Sequence, residues 1–215
     1  MKITVFSAKG GVGKTPISTN IAFDRDCMIA TNDEYHGFDI VNRISGEDRC
    51  LVVQPHEEFP DFPDDWDVVF DLGGTLSSAG APSVRSALAQ SDLVIVPVSS
   101  EIKSIISGVK SINEAKTINK NILVVATKLK RTAKETTLHP WSECREFLRI
   151  RDALTEMTGE ALTILPLKFS AAFDAIFENE KSLREMVKEG GADGYHYAMP
   201  SVQFEDIYKH IEKHI

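Results

Sequence analysis

Cysteine is scarce in this chain of 215 residues: Cys27, Cys50 and Cys144 are odd in number and widely spaced. That rules out a fully paired disulfide framework, and the spacing matches no zinc-binding pattern, so reduced, buried thiols are expected. Long apolar runs are also missing, and none approaches the ~20 residues that cross a bilayer. The opening segment, Met1 to Phe6, is too short for the apolar core of a secretory leader. Cytoplasmic location is the expectation. No internal repeat or low-complexity tract occurs, and the length suits one domain over residues 1–215. Basic charge is in deficit too: 24 Lys and Arg stand against 32 Asp and Glu, a formal net charge of −8. Such a chain is not steered as a whole toward nucleic acid or anionic lipid, and any such contact needs a local basic patch.

What is present is the composition of a globular protein, 42% hydrophobic and 26% charged. Short apolar runs rich in Val, Ile and Leu recur at Ile3–Ser7, Cys27–Thr31, Cys50–Gln54, Asp67–Asp71, Leu93–Val98, Ile122–Thr127 and Leu162–Pro166. Nearly continuous apolar character predicts strands buried on both faces, as in parallel sheets. Helical patterns separate them at Lys14–Phe23, Phe38–Ile44, Pro82–Gln90, Ile102–Asn119, Ser142–Thr158 and Ser182–Lys188. The alternation predicts an α/β fold: a doubly wound, mostly parallel sheet of about seven strands with helices on both faces. The stretch Val202–Ile215 carries Phe204, Ile207, Tyr208, Ile211 and Ile215 as one helical stripe, expected to dock on the core. Glu57–Asp65 and Gly190–Pro200 read as loops.

The strongest local signal runs from Ile3 to Thr15, a strand leading into Lys9-Gly10-Gly11-Val12-Gly13-Lys14-Thr15 and then a helix. Glycines let backbone N–H groups curl around phosphate oxygens, and a helix N-terminus adds donors and partial positive charge. Gly10, Gly11, Val12, Gly13, Lys14, Thr15 and Pro16 are the candidate phosphate-binding residues. Lys14 supplies a point charge for the β- and γ-phosphates, and the Thr15 hydroxyl is placed to ligate Mg²⁺. Pro16 is tolerated in a first helical turn. The usual G-x-x-x-x-G-K-[ST] spacing puts Ala8 where a glycine belongs, and a second lysine, Lys9, opens the loop. Its natural use is to reach a phosphate held by another subunit. Asp67 to Gly74 is an apolar strand ending in Asp71 and a glycine pair. A carboxylate there can hold Mg²⁺, and the glycines let the following loop respond to the γ-phosphate.

These residues resemble the deviant phosphate-loop ATPases of the ParA/MinD family, closest to the short plasmid-type ParA partition proteins. The resemblance implies ATP and Mg²⁺ as cofactors and an ATP-dependent homodimer. Carried over, Lys9 is the lysine that crosses between subunits, Lys14 acts within its own subunit, and Asp71 opens switch II. Asp33 matches the second Asp of the family's Asp-x-Asp-Pro-Gln segment, which places the attacking water. Here Thr31 stands at the first Asp, and Glu34-Tyr35 replace Pro-Gln. Thr127 takes the Asn position of an adenine-side Asn-Lys-x-Asp segment, with Lys130 in place of its Asp. Pro166 lies in the stretch Leu165 to Ser170, which resembles the loop that covers adenine in ParA-like proteins. The implied activity is slow, partner-stimulated ATP hydrolysis to ADP and phosphate in plasmid or chromosome partition.

The implied partners are nonspecific DNA and a small DNA-binding adaptor protein. Lys128, Lys130, Arg131, Lys134, Arg145, Arg149 and Arg151 form the basic cluster such DNA contact would use; an ordinary solvated face is the alternative. Two further outputs stay open: a MinD-like membrane-associated positioning ATPase, and a regulatory module that binds ATP and hydrolyses little. The acidic Glu205, Asp206 and Glu212 in the last helix disfavour the membrane.

Overall fold

The apolar runs become strands because each residue, pointing alternately up and down, meets a helix on either side. A computed structural model describes residues 1–33, 49–73, 81–136, 139–191 and 194–215. Its strands are β1 (Lys2–Val5), β2 (Met28–Thr31), β3 (Cys50–Val52), β4 (Val68–Asp71), β5 (Leu93–Ser99), β6 (Ile122–Leu129) and β7 (Ile164–Lys168). The described helices are α1 (Lys14–Arg25), α2 (Pro82–Gln90), α3 (Ile102–Lys116), α4 (Arg145–Thr158), α5 (Ala172–Asn179), α6 (Leu183–Glu189) and α7 (Gly194–His214). The strands form one sheet in the order β3-β2-β4-β1-β5-β6-β7, and every pairing is parallel.

Alternation within single strands builds two cores. Leu93 and Ile95 of β5 and Leu123 and Val125 of β6 face the layer of α1, α5, α6 and α7. Val94, Val96 and Val98, with Val124 and Ala126, face α2, α3 and α4. Chain progression reverses at β1, which lies between β4 and β5. In an open α/β sheet the crevice at the strands' C-terminal ends opens at such a reversal. The loop after β1 enters it.

Two local details explain how the elements end. Helix α1 stops at Asp26, which takes the left-handed conformation (φ 55°, ψ 39°) that glycine usually supplies, and its N–H bonds the Ala22 and Phe23 carbonyls. Asp tolerates this region better than most residues, and the Asp26 carboxylate pairs with Arg49. Helix α6 starts on a reciprocal cap, with Ser182 accepting from the Glu185 N–H and Glu185 accepting from the Ser182 N–H, which satisfies two otherwise unpaired donors.

Most expected elements lie within a few residues of their observed ends, with instructive differences. The strand expected over Cys50–Gln54 is confined to Cys50–Val52. The segment read as a loop, Gly190–Pro200, is helical from Gly194, and Pro200 lies inside α7. Proline removes one backbone donor from a helix, and burial of Pro200 against the core holds the helix together across it. Helix α5 had no counterpart in the sequence reading. The helix expected over Phe38–Ile44 lies outside the described residues.

Helix α7 docks through Phe204, Ile207, Tyr208 and Ile211, all buried, each contributing about 1.5–3 kcal/mol of burial. The Tyr208 hydroxyl accepts from Asn20 Nδ2 at 3.0 Å and donates to Asp24. Asn20 Oδ1 accepts from the Leu183 N–H at 2.9 Å. One buried polar knot therefore ties α1 to α6 and α7. Cys27 and Cys144 are buried and Cys50 is half-buried, all three as free thiols. Burial pushes the Cys27 thiol up to about 12 and Cys50 to about 11, so both stay protonated. No helix among the described residues is long and apolar enough to cross a membrane.

Candidate nucleotide site

The loop after β1 is held from three sides. Phe6 N–H donates to the Ile95 carbonyl at 2.9 Å. Ala8 N–H donates to Ser111 Oγ on α3 at 2.9 Å. Thr127 Oγ1, at the end of β6, donates to the Val12 carbonyl at 2.8 Å. Between these anchors Gly11 and Gly13 take φ of 70° and 96°, which a side chain would oppose. A Cβ built on Gly10 or Gly11 would meet no atom within 4 Å. The two glycines thus border open space, a cavity of about 620 Å³.

Lys14 begins α1 almost fully buried. Its Nζ donates to the Lys9 carbonyl at 3.1 Å. Burial holds its pKa below the ordinary lysine value, against the opposing charges of Asp71 and Asp33. Asp71, at the end of β4, is buried as well. Its carboxylate accepts from Ser18 Oγ at 3.0 Å, and the Thr15 hydroxyl is near enough to favour its ionised form. Burial raises the Asp71 pKa, opposed by those two hydroxyls and by Lys14. One face of α1 thus presents ammonium and hydroxyls toward one buried carboxylate, and Asp71 itself does not line the cavity.

Asp33 also lines the cavity. It is placed by Thr31, whose hydroxyl donates to the Asp71 carbonyl at 2.7 Å and accepts from Asp33 N–H at 3.0 Å. Asn32 Oδ1 accepts from Gly73 N–H at 2.7 Å, and a Cβ on Gly73 would come within 3.3 Å of the Asp33 Cβ. The ends of β2 and β4 are therefore coupled by short side chains, and the close approach accounts for the glycine at 73. Gly74 lies outside the described residues, as do Glu34 and Tyr35.

Lys9 points elsewhere. Its Nζ pairs with Glu101, at the start of α3, and it does not line the cavity. That ion pair pulls the Glu101 carboxyl below the usual range.

The other end of the cavity is apolar. Gly10, Gly11, Gly13, Lys14, Thr15, Pro16 and Thr127 all border the cavity. Val12 is buried and does not line the cavity; its carbonyl accepts from the Thr127 hydroxyl. Pro166 is paired within the sheet opposite Ala126 and does not line the cavity. The wall at that corner is Leu167, Phe169, Ser170, Phe173, Asp174 and Phe177. Leu167, Phe169 and Ser170 belong to the stretch that the resemblance had placed over adenine, whereas Phe173, Asp174 and Phe177 had no role in the sequence reading. The spacing of Phe169, Phe173 and Phe177, four residues apart, was a usable signal for one helical face. Ser18, four residues after Lys14, was another.

The arrangement can hold a polyphosphate at one end through backbone N–H groups and a buried ammonium. It can press an apolar ring against the other. A hydroxyl and a carboxylate side by side are hard oxygen donors that fit Mg²⁺, which takes few protein ligands and completes its shell with phosphate and water. No group of three or more His, Cys, Asp or Glu that could hold a metal occurs among the described residues, so Thr15 and Asp71 are its candidate ligands.

No family model and no curated protein matches this sequence. Solved structures do match it. The Cyanothece McdA in an ATP complex aligns with a TM-score of 0.65 at 13% identity, covering 99% of this chain and 96% of that one. A Borrelia burgdorferi chain described as a plasmid partition protein, bound to AMPPNP, aligns at 0.56 and 14%, covering 96% and 98%. The cell division ATPase MinD of Pyrococcus furiosus aligns at 0.55 and 14%, covering 96% and 99%. At such identity the likeness is one of fold. The chain thus has the α/β phosphate-loop fold of the ParA/MinD ATPases, with an all-parallel seven-stranded sheet.

Proposed function

We propose that this chain is an ATP-dependent dimerising switch ATPase of ParA type, working with Mg²⁺ in the partition or positioning of DNA. One observation carries the reading: Lys14, Thr15 and Asp33 line a cavity bordered by open glycines, with the buried Asp71 carboxylate behind them on the Ser18 side of α1. In this role the backbone N–H groups from Gly10 to Thr15 and the Lys14 ammonium hold the phosphates. Lys14 gives up its contact with the Lys9 carbonyl to do so. Thr15 and Asp71 hold the metal, which offsets phosphate charge. Asp33 orients the attacking water. Lys9 leaves Glu101 and reaches the site of a second copy, so dimerisation depends on the γ-phosphate and ADP favours the monomer.

The test has two arms. Calorimetry with ATP and Mg²⁺ should show binding to the wild-type chain. Sedimentation should show dimer with ATP and monomer with ADP, and Lys9→Ala should keep ATP affinity while losing the dimer. Equal dimer content in wild type and Lys9→Ala would refute the role of Lys9 across subunits.

Two alternatives bear on the output. A module that hydrolyses little is supported by Thr31, whose hydroxyl ties β2 to β4 where the family has an Asp. Turnover that a partner protein stimulates would count against it. A MinD-like membrane role for the last helix is opposed by the burial of Phe204, Ile207, Tyr208 and Ile211, with Ile215 the one exposed member of the stripe. For DNA, the exposed side chains are Lys128, Lys130, Lys134, Arg145, Arg149 and Arg151. Arg131 lies over the Trp141 ring at 4.4 Å, and Arg151 pairs with Asp152. DNA binding through this face should require ATP and weaken steeply with salt.

A further inference from the structure

Asn32, just past the end of β2, is buried and does not line the cavity. Its Oδ1 accepts from the Gly73 N–H at 2.7 Å. On its other side Nδ2 donates to Ser83 Oγ, in the first turn of α2, at 2.9 Å. Ser83 Oγ in turn donates to the Pro55 carbonyl, in the stretch after β3, at 3.0 Å. The direction of the Asn32 amide is forced at both ends. A peptide N–H only donates, so Gly73 needs the amide oxygen. A carbonyl only accepts, so the one Ser83 hydroxyl hydrogen goes to Pro55, and the Ser83 oxygen needs the amide nitrogen. Aspartate at 32 would set acceptor against acceptor at Ser83. Leucine would leave the buried Gly73 N–H without its partner, a costly state.

The next residue, Asp33, lines the cavity. Thr31 on the other side of Asn32 holds the Asp71 carbonyl and the Asp33 N–H. Two consecutive residues at the end of β2 thus grip positions 71 and 73, and Asn32 extends that grip to α2. Asp33 therefore shifts relative to Asp71 only if buried hydrogen bonds break. We infer that Asn32 is a positioning residue for hydrolysis: by clamping the end of β2 to Gly73 and Ser83 it fixes Asp33 against the end of β4, and it acts on turnover rather than on nucleotide affinity. The inference rests on the proposal that ATP occupies the loop and that Asp33 orients the attacking water. In that step the water oxygen bonds to the γ-phosphorus, the bridging oxygen leaves with ADP, and the proton of the water departs to solvent. Such a step is sensitive to placement, with about 100-fold lost for a misplacement of about 1 Å.

The experiment measures two quantities with Mg²⁺: ATP affinity by calorimetry, and the single-turnover rate at which bound radiolabelled ATP is cleaved. It compares wild type, Asn32→Leu, Ser83→Ala and the double variant, with thermal melts to confirm folding. Asn32→Leu should slow cleavage at least about ten-fold and leave affinity within about two-fold. Ser83→Ala, which removes the outer partner of Asn32, should slow cleavage about three-fold and have no further effect on the rate in the Asn32→Leu background. A general loss of stability would lower the melting temperature without this split or this non-additivity. A wild-type rate in folded Asn32→Leu, a parallel loss of affinity and rate, or equal slowing by Ser83→Ala in both backgrounds overturns the assignment. If Asn32→Leu does not fold, Ser83→Ala decides alone, and a wild-type rate there overturns it. Wild type that binds ATP and leaves it uncleaved overturns the role of Asn32 while the ATP site stands. Wild type that binds no ATP overturns the nucleotide reading as well.

Discussion

The two ends of the cavity are built by different means. The proposed phosphate end is a nearly contiguous stretch, Gly10 to Thr15, with carboxylates from neighbouring strand ends beside it. Its donors are largely backbone, and its glycines are required by φ values that side chains resist. The other end gathers Leu167, Phe169, Phe173, Asp174 and Phe177 from one corner onto Pro16 and Ile17, about 150 residues away in sequence. Charge in a buried place must be specified closely, because an unpaired group there costs several kcal/mol. Apolar contact tolerates many solutions. The first end therefore leaves a recognisable sequence pattern, and the second does not.

The sharpest way to break this comparison is Lys14→Ala. It removes the buried ammonium from the phosphate end alone, and ATP affinity measured by calorimetry should fall at least about 100-fold. A retained affinity would move the binding energy to the aromatic end. Next comes Asp33→Ala, expected to lower steady-state phosphate release about 100-fold at saturating ATP while leaving affinity nearly intact; parallel losses in both would make Asp33 a binding residue. Phe173→Ala should weaken ATP and ADP equally, by about ten-fold each in a fluorescence titration, because the base end does not sense the γ-phosphate. Unequal losses would show that the two ends communicate.

The smallest effect concerns the empty protein. Burial raises the Asp71 pKa, so the ionised carboxylate costs stability. A raised carboxyl pKa means that the folded chain holds its proton more tightly than the unfolded one. Stability is then highest below the unfolded value and declines as pH rises to the folded value. Asp71→Asn should therefore hold or raise the melting temperature at neutral pH, by a stability gain on the order of 1 kcal/mol. The same variant should lose the Mg²⁺ enhancement of ATP binding. A lower melting temperature would show that the bonds from Thr15 and Ser18 outweigh the burial cost.

The sequence by itself determined the α/β class and the seven strands, and it singled out Gly10 to Thr15 as the proposed phosphate loop. Those properties follow from local rules, namely nearly continuous short apolar runs and glycines before Lys14. Asp71 and Asp33 could be nominated from sequence, because each follows an apolar strand, although an Asp there is often only a turn residue. Tertiary structure alone decided what those local rules leave open. It placed β4 between β2 and β1, bringing Asp71 to Thr15 and Ser18. It turned Lys9 onto Glu101, made Thr31 a tie between strands, and kept Pro166 in the sheet. It made a helix of Ala172–Asn179, whose rings face α1 across the cavity, and continued α7 through Pro200 because the core buries that residue. Each of these depends on which surfaces meet, and that choice rests on contacts between residues far apart in the chain.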